Sequence, residues 1–187
     1  LQNRILFAAA DEMKARGVKF TMNNLARRLR LSKTSLYRHF ASKNELVHNI
    51  ITTTIQDCQE QEKKIYSNCE LSVADKIQAV IQIEPRVFKP IYNRNLFDDL
   101  CNYYPDEWNL VSDLRKEQLN RLTSFIVQNI EIHALRPVNI SVLRQIIISA
   151  TNDSFSFRFL EENKMTHADA LAAMADIIVC SLLPSNR

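Results

Sequence analysis

Between residues 32 and 39 the chain reads Ser-Lys-Thr-Ser-Leu-Tyr-Arg-His, and almost every polar side chain there is a hydrogen-bond donor. Lys33, Thr34 and Ser35 stand together, with Tyr37 and Arg38 one helical turn later. A lysine can donate to guanine O6 or N7, and the hydroxyls suit bases or phosphates. The Thr34 methyl can touch thymine. Thr21 and Lys43 each open a helix, where backbone amides and the helix dipole favour an anion, and Lys43 adds its charge. This is chemistry for holding a polyanion. Signs of turnover are missing: no Ser/His/Asp or Cys/His set forms a motif, so no catalytic residues and no enzyme are expected. His48, His133 and His167 stand apart from one another. Cys58, Cys69, Cys101 and Cys180 make no CxxC pair, and no His lies at zinc spacing from them. No metal and no cofactor are expected. The cysteines read as small hydrophobes in a reducing cytoplasm.

The elements that must position these residues are helices. Gly17 is the only glycine in 187 residues, where ordinary usage of about 7% would give roughly a dozen. That excludes a glycine-rich phosphate loop, a dinucleotide fingerprint and a nucleophile elbow. It also argues against hairpin-rich sheets. The expected fold is all-α, with about nine helices. Ile5, Leu6, Ala9, Ala10 and Met13 recur at helical spacing, and Gly17 stands where a helix would end. Thr21 caps a helix burying Leu25, Ala26 and Leu29. Ser32 caps a short helix with Leu36 and Phe40 inward. Ser42 caps a longer one, from about Lys43 to Tyr66. Two short helices joined by about three residues make a helix-turn-helix. Further on, Ser72, Pro105, Asn139 or Ser141, and Thr166 mark helix starts.

Charge is divided along the chain. Residues 1–50 hold ten Lys/Arg and three Asp/Glu, net +7, and residues 51–187 hold fourteen and eighteen, net −4. A basic head on a mildly acidic body suits a head that meets a polyanion. No apolar run approaches the roughly 18–20 residues of a membrane span. The start, LQNRILFAAADEMK, is not a signal peptide, and a cytoplasmic protein is expected.

The stretch from Thr21 to Leu46, TMNNLARRLRLSKTSLYRHFASKNEL, resembles the DNA-binding domain of TetR-family transcriptional regulators. Its densest part is SKTSLYRHFASKNEL, with Leu-Tyr-x-x-Phe followed by Lys-x-x-Leu. The resemblance implies a helix-turn-helix DNA-binding domain over residues 1–50. It implies a helical effector-binding and dimerisation domain over residues 51–187. It also implies that Tyr37 and His39 contact phosphates and sugars. The sequence departs from the family at two points. Arg30 stands where the family usually has Gly, and a left-handed arginine costs about 1–2 kcal/mol. Thr34 stands where a small residue, often Gly, is common, which alters base preference rather than the fold.

One recognition helix reads too few base pairs for useful specificity, and dimers on palindromic sites solve this. By resemblance the last two helices form the homodimer interface, through Ile146, Ala150, Phe157, Leu171, Ala175 and Ile178. The alternative for these side chains is the chain's own core. Aromatic residues crowd into 88–108: Phe88, Tyr92, Phe97, Tyr103, Tyr104 and Trp108. With Phe155 they are the expected walls of a small-molecule effector pocket, or else ordinary core. The fourth helix, running from Lys43 into the body, is the lever this scheme implies. The expected function is a ligand-responsive DNA-binding transcriptional regulator, a repressor, bound to a palindromic double-stranded operator as a dimer. Two alternatives stand beside it. One is a helical dimeric protein-interaction module with a degenerate head, and the other is an uncharacterised enzyme.

Overall fold

Signals that start and stop helices recur along this chain, and helix follows helix. The computed structural model describes residues 1–88, 94–150 and 157–184, except the side chains of Arg94, Asn95, Phe97 and Phe157. The first half carries α1 (Gln2–Arg16), a single 3-10 turn (Gly17–Lys19), α2 (Met22–Leu29), α3 (Lys33–His39), α4 (Lys43–Ser67) and α5 (Val73–Ile81). The second half carries α6 (Arg94–Tyr103), α7 (Pro105–Glu131), α8 (Ile140–Ser149), α9 (Phe157–Glu162) and α10 (His167–Leu182). No strand occurs among the described residues. The helix expected up to about residue 163 is described as α8 and α9, and residues 151–156 lie outside the described residues.

The helix starts follow from side chains that satisfy free backbone amides. Thr21, Ser32, Ser72, Asn139 and Thr166 each accept a bond from the amide three residues on. Asn139, rather than Ser141, caps α8. Two of these starts are reciprocal capping boxes, Ser72 with Asp75 and Thr166 with Asp169. Both the hydroxyl and the amide of Thr166 donate to Asp169 Oδ2, at 2.6 and 2.9 Å. These bonds hold the Asp169 carboxyl below its ordinary pKa.

The chain divides into two compact units. One comprises Leu1–Gln59 and Glu84–Leu114, the other Glu60–Ile83 and Arg115–Arg187. The boundaries fall inside α4, just after α5 and inside α7.

The first unit is built on Ile5, Ala9 and Met13 of α1, Leu25 and Ala26 of α2, Leu36 of α3, then Phe40, Leu46 and Ile50. Phe88, Leu96, Leu100 and Tyr104 complete the same core. Each large side chain so buried is worth about 1.5–3 kcal/mol. Gly17 is favoured here by its backbone conformation, and a Cβ would also press on a neighbouring side chain. Its φ of +67° is one that L side chains rarely adopt, and a Cβ would lie 2.8 Å from Asp99 Oδ2.

The second unit is built on Ile77 and Val80 of α5, Leu122 and Ile126 of α7, Leu143 and Ile147 of α8, and Leu171, Met174 and Ile178 of α10. Glu62, almost wholly buried, is held by Arg121 through two bonds, Nε to Oε1 at 3.0 Å and Nη2 to Oε2 at 2.7 Å. Tyr66 stacks obliquely on Phe125, with centroids 5.1 Å apart. Among the described residues, no helix is long and apolar enough to cross a membrane.

Candidate nucleic-acid interface

Helices α2 and α3 are joined by residues 30–32, and their spacing depends on how α2 ends. Arg30 takes the left-handed conformation, φ 55° and ψ 40°. Its amide donates to Arg27 O at 3.2 Å, and the Leu31 amide donates to Ala26 O at 2.9 Å. This is the paired bonding of a Schellman cap. The left-handed residue expected at this turn is therefore present, with an arginine where glycine would be unstrained. Arg4 Nη2 of α1 donates to Leu29 O at 3.1 Å and satisfies another terminal carbonyl of α2.

Ser32 then starts α3 by accepting from the Ser35 amide at 3.0 Å. Leu36 is fully buried and fixes how α3 is rotated. The opposite face consists of Lys33, Thr34 and Arg38, all exposed, and Tyr37, 46% exposed. Tyr37 is thus not a packed core aromatic. Ser35 and His39 are half-buried at the edges of this face, and Thr21 is exposed at the start of α2. One helical face brings together Lys33, Thr34, Tyr37 and Arg38, as their spacing predicts.

The electrostatics sharpen this face. All three acidic residues of 1–50 are engaged elsewhere. Glu12 is buried and takes Arg28 Nη1 at 2.9 Å and Arg16 Nε at 3.4 Å. Asp11 takes Arg28 Nη2 at 3.1 Å. Glu45 Oε2 accepts the Ala41 amide at 2.7 Å. Lys33 and Arg38 therefore present charges that none of these three carboxylates offsets.

Lys43 is placed differently from the other expected contacts. It opens α4, but its ammonium donates to the Val18 carbonyl and lies 4.8 Å from the centroid of the Phe20 ring. Burial lowers its pKa, and the Asp99 carboxylate works against that shift. This arrangement was not legible in the sequence: Val18 and Asp99 are distant along the chain and carry no shared motif. The same is true of Arg4 on Leu29 and of Glu62 with Arg121.

The other expected site residues scatter. Phe88 and Tyr104 are buried in the core of the first unit, Trp108 is half-buried and Tyr103 is 62% exposed. Tyr92, Phe155 and the side chain of Phe97 lie outside the described residues. In the second unit, Leu171, Ala175 and Ile178 point into their own core, and Ala150 is half-buried against it. Ile146 is exposed, as are Val142 on α8 and Ile177 on α10. The Phe157 side chain lies outside the described residues. An open groove of about 420 Å³ in this unit is lined by Thr123, Val127, Gln128, Ile140 and Arg144, none of them aromatic. His48 Nδ1 lies 3.2 Å from Glu107, and among the described residues no group of three or more His, Cys, Asp or Glu converges to hold a metal.

Comparison with known proteins agrees with this geometry. Residues 5–50 match the family described as bacterial regulatory proteins, tetR family. Over 178 residues the chain is 25% identical to an HTH-type transcriptional regulator of Bacillus subtilis strain 168, YvaF, itself uncharacterised, covering 95% of this chain and 93% of that one. The fold is that of the TetR-family regulator PfmR of Thermus thermophilus, with TM-score 0.69, 21% identity, and 97% and 100% of the two chains covered. It is also that of AibR solved with isovaleryl coenzyme A and operator DNA, with TM-score 0.64, 17% identity, and 98% and 99% covered. Residues 5–50 thus match the tetR family, and the chain as a whole has the fold of that family's regulators.

Proposed function

We propose that this chain is a ligand-responsive transcriptional repressor that reads a palindromic operator through α3. The observation that carries this reading is the exposed Lys33–Thr34–Tyr37–Arg38 face, whose cations are not offset by the three acidic residues of the head. Lys33, Thr34 and Ser35 lie at the N-terminal end of α3, the end that meets base edges in this motif. Arg38 joins them one turn later, and Tyr37 and His39 contact phosphates and sugars from the helix flank. Thr21 and the first amides of α4 at Lys43 bind phosphate as helix starts do. The task division falls near residue 50, with DNA binding before it and effector binding and dimerisation after it.

The homodimer forms through α8 and α10, where Val142, Ile146 and Ile177 leave apolar surface exposed. Two heads then meet successive major grooves about 34–36 Å apart. The effector is a small molecule met by the aromatic segment 88–108. Phe88 and Tyr104 of that segment share a core with α1, α2 and α3, so a ligand displacing them would act on the DNA-facing helices. That AibR was solved with both an acyl coenzyme A and operator DNA supports a two-ligand scheme of this kind. DNA and effector oppose each other by linkage, typically by about 1–3 kcal/mol. No feature of the residues described here favours catalysis.

Selection from a random duplex pool with the full chain tests the reading. A palindromic sequence should be enriched. Recovery of unrelated sequences with no shared half-site would contradict it.

A further inference from the structure

Arg30, His133 and Lys164 are the left-handed residues other than glycine among the described residues. All three close a helix in the same way. The amides of Arg30 and Leu31 donate to Arg27 O and Ala26 O, those of His133 and Ala134 to Ile130 O and Asn129 O, and those of Lys164 and Met165 to Glu161 O and Leu160 O. A side chain able to carry positive charge suits a helix C-terminus, so the backbone alone does not set Arg30 apart. Its surroundings do. His133 and Lys164 belong to the second unit, whereas Arg30 belongs to the first, on the turn that leads through Leu31 and Ser32 into α3. Arg27 lies one turn earlier on α2. Both arginines are exposed, and among the described residues neither makes an ion pair, while Arg28 beside them is held by Asp11 and Glu12. The remaining carboxylate of the head, Glu45, is bonded to the Ala41 amide. Arg27, Arg30 and Lys33 thus recur every third residue from the end of one helix to the start of the next, with no carboxylate of the head to offset them.

We propose that Arg27 and Arg30 bind backbone phosphate of the operator and form a second contact edge beside the α3 face. In a helix-turn-helix the first helix crosses the DNA backbone while the N-terminal end of the second meets base edges. The turn joins those two roles, and an arginine there brings a forked set of donors suited to phosphate oxygens. Contacts of this kind position the protein without reading sequence, so the pair adds affinity on any duplex. The inference rests on the reading that the head binds an operator.

The test measures the affinity of the full chain for the selected duplex and a scrambled one at several salt concentrations. Arg30→Gln keeps the Cβ and removes the charge. It should weaken both duplexes equally, about fivefold per head near about 0.15 M salt, and lower the salt slope by about one ion per head. Arg27→Gln should do the same, and the double variant should lower the slope by about two ions per head. Arg30→Lys keeps the charge and should stay within about twofold of the parent. Lys164→Gln, at a left-handed position in the second unit, is the control and should change neither affinity nor slope. Arg30→Gly adds a readout that a purely structural role would not give: the protein should melt higher yet bind DNA more weakly. Unchanged affinity and slope in the double variant would overturn the proposal. So would a loss confined to the selected duplex, an Arg30→Lys variant as weak as Arg30→Gln, or an Arg30→Gly variant that binds as tightly as the parent. Equal parental affinity for the two duplexes overturns the operator reading instead, while the slopes still decide the two arginines.

Discussion

Arg30 shows how a single residue sets the geometry of the head. Its left-handed φ closes the Schellman cap of α2, and with it the angle at which α3 leaves. Arg30→Gly removes the Cβ penalty, partly offset by the greater freedom of glycine in the unfolded chain. A gain of about 0.5–1 kcal/mol is expected, raising the Tm by about 2 °C, and thermal denaturation checks it. Tyr66 carries a second prediction. Among the described residues its buried hydroxyl has no hydrogen-bond partner, and burial together with Glu62 pushes its pKa up to about 12. Tyr66→Phe therefore removes an unsatisfied group and should leave stability at pH 7 unchanged or higher by up to about 1 kcal/mol. The folded-state pKa lies above the unfolded value near 10, so the stabilisation it represents is complete below pH 10. It is lost as pH rises through 12. Denaturant titrations between pH 9 and 12 should show the parent chain losing stability more steeply than Tyr66→Phe.

At the scale of elements, α3 is held by one cap and one buried face. Ser32→Ala removes the acceptor for the Ser35 amide and should cost about 1 kcal/mol. Leu36→Ala leaves a cavity in the core of the first unit and should cost about 2–5 kcal/mol. Both are read from denaturant midpoints, and the larger loss at Leu36 is the expected order. These are the features most legible in the sequence. Caps such as Ser32 and Thr166 act over three residues, and apolar spacing such as Leu36 to Phe40 acts over one turn, so a linear reading finds them. The exposed face of α3 is legible for the same reason. The cage around Lys43 is not: Val18 and Phe20 reach it through tertiary packing, which turns a lysine expected on phosphate toward the backbone instead. The expected interface residues illustrate a related ambiguity. Helical periodicity finds the apolar face of α10 but not its partner, and Leu171, Ala175 and Ile178 fill the chain's own core while Ile177 stays outside.

For the whole molecule, the proposed reading makes specificity depend on two heads acting together. Ile177 is 71% exposed on α10, at the face proposed to meet a second copy. Ile177→Glu should convert a dimer to a monomer in sedimentation experiments while leaving helix content unchanged. It should weaken operator binding at least a hundredfold, because a single head retains mainly its salt-sensitive contacts. A monomeric parent chain, or a variant that still dimerises, would move the interface elsewhere.

The central claim, that the α3 face reads sequence, is tested most directly by titrating the full chain against the selected duplex and a scrambled one at several salt concentrations, alongside Lys33→Ala. The account predicts that the selected duplex binds at least about a thousandfold more tightly. Lys33→Ala should remove about 1–3 kcal/mol of that preference, with little effect on the scrambled duplex beyond a small loss of charge. Equal affinity for both duplexes, or a preference untouched by Lys33→Ala, would contradict it.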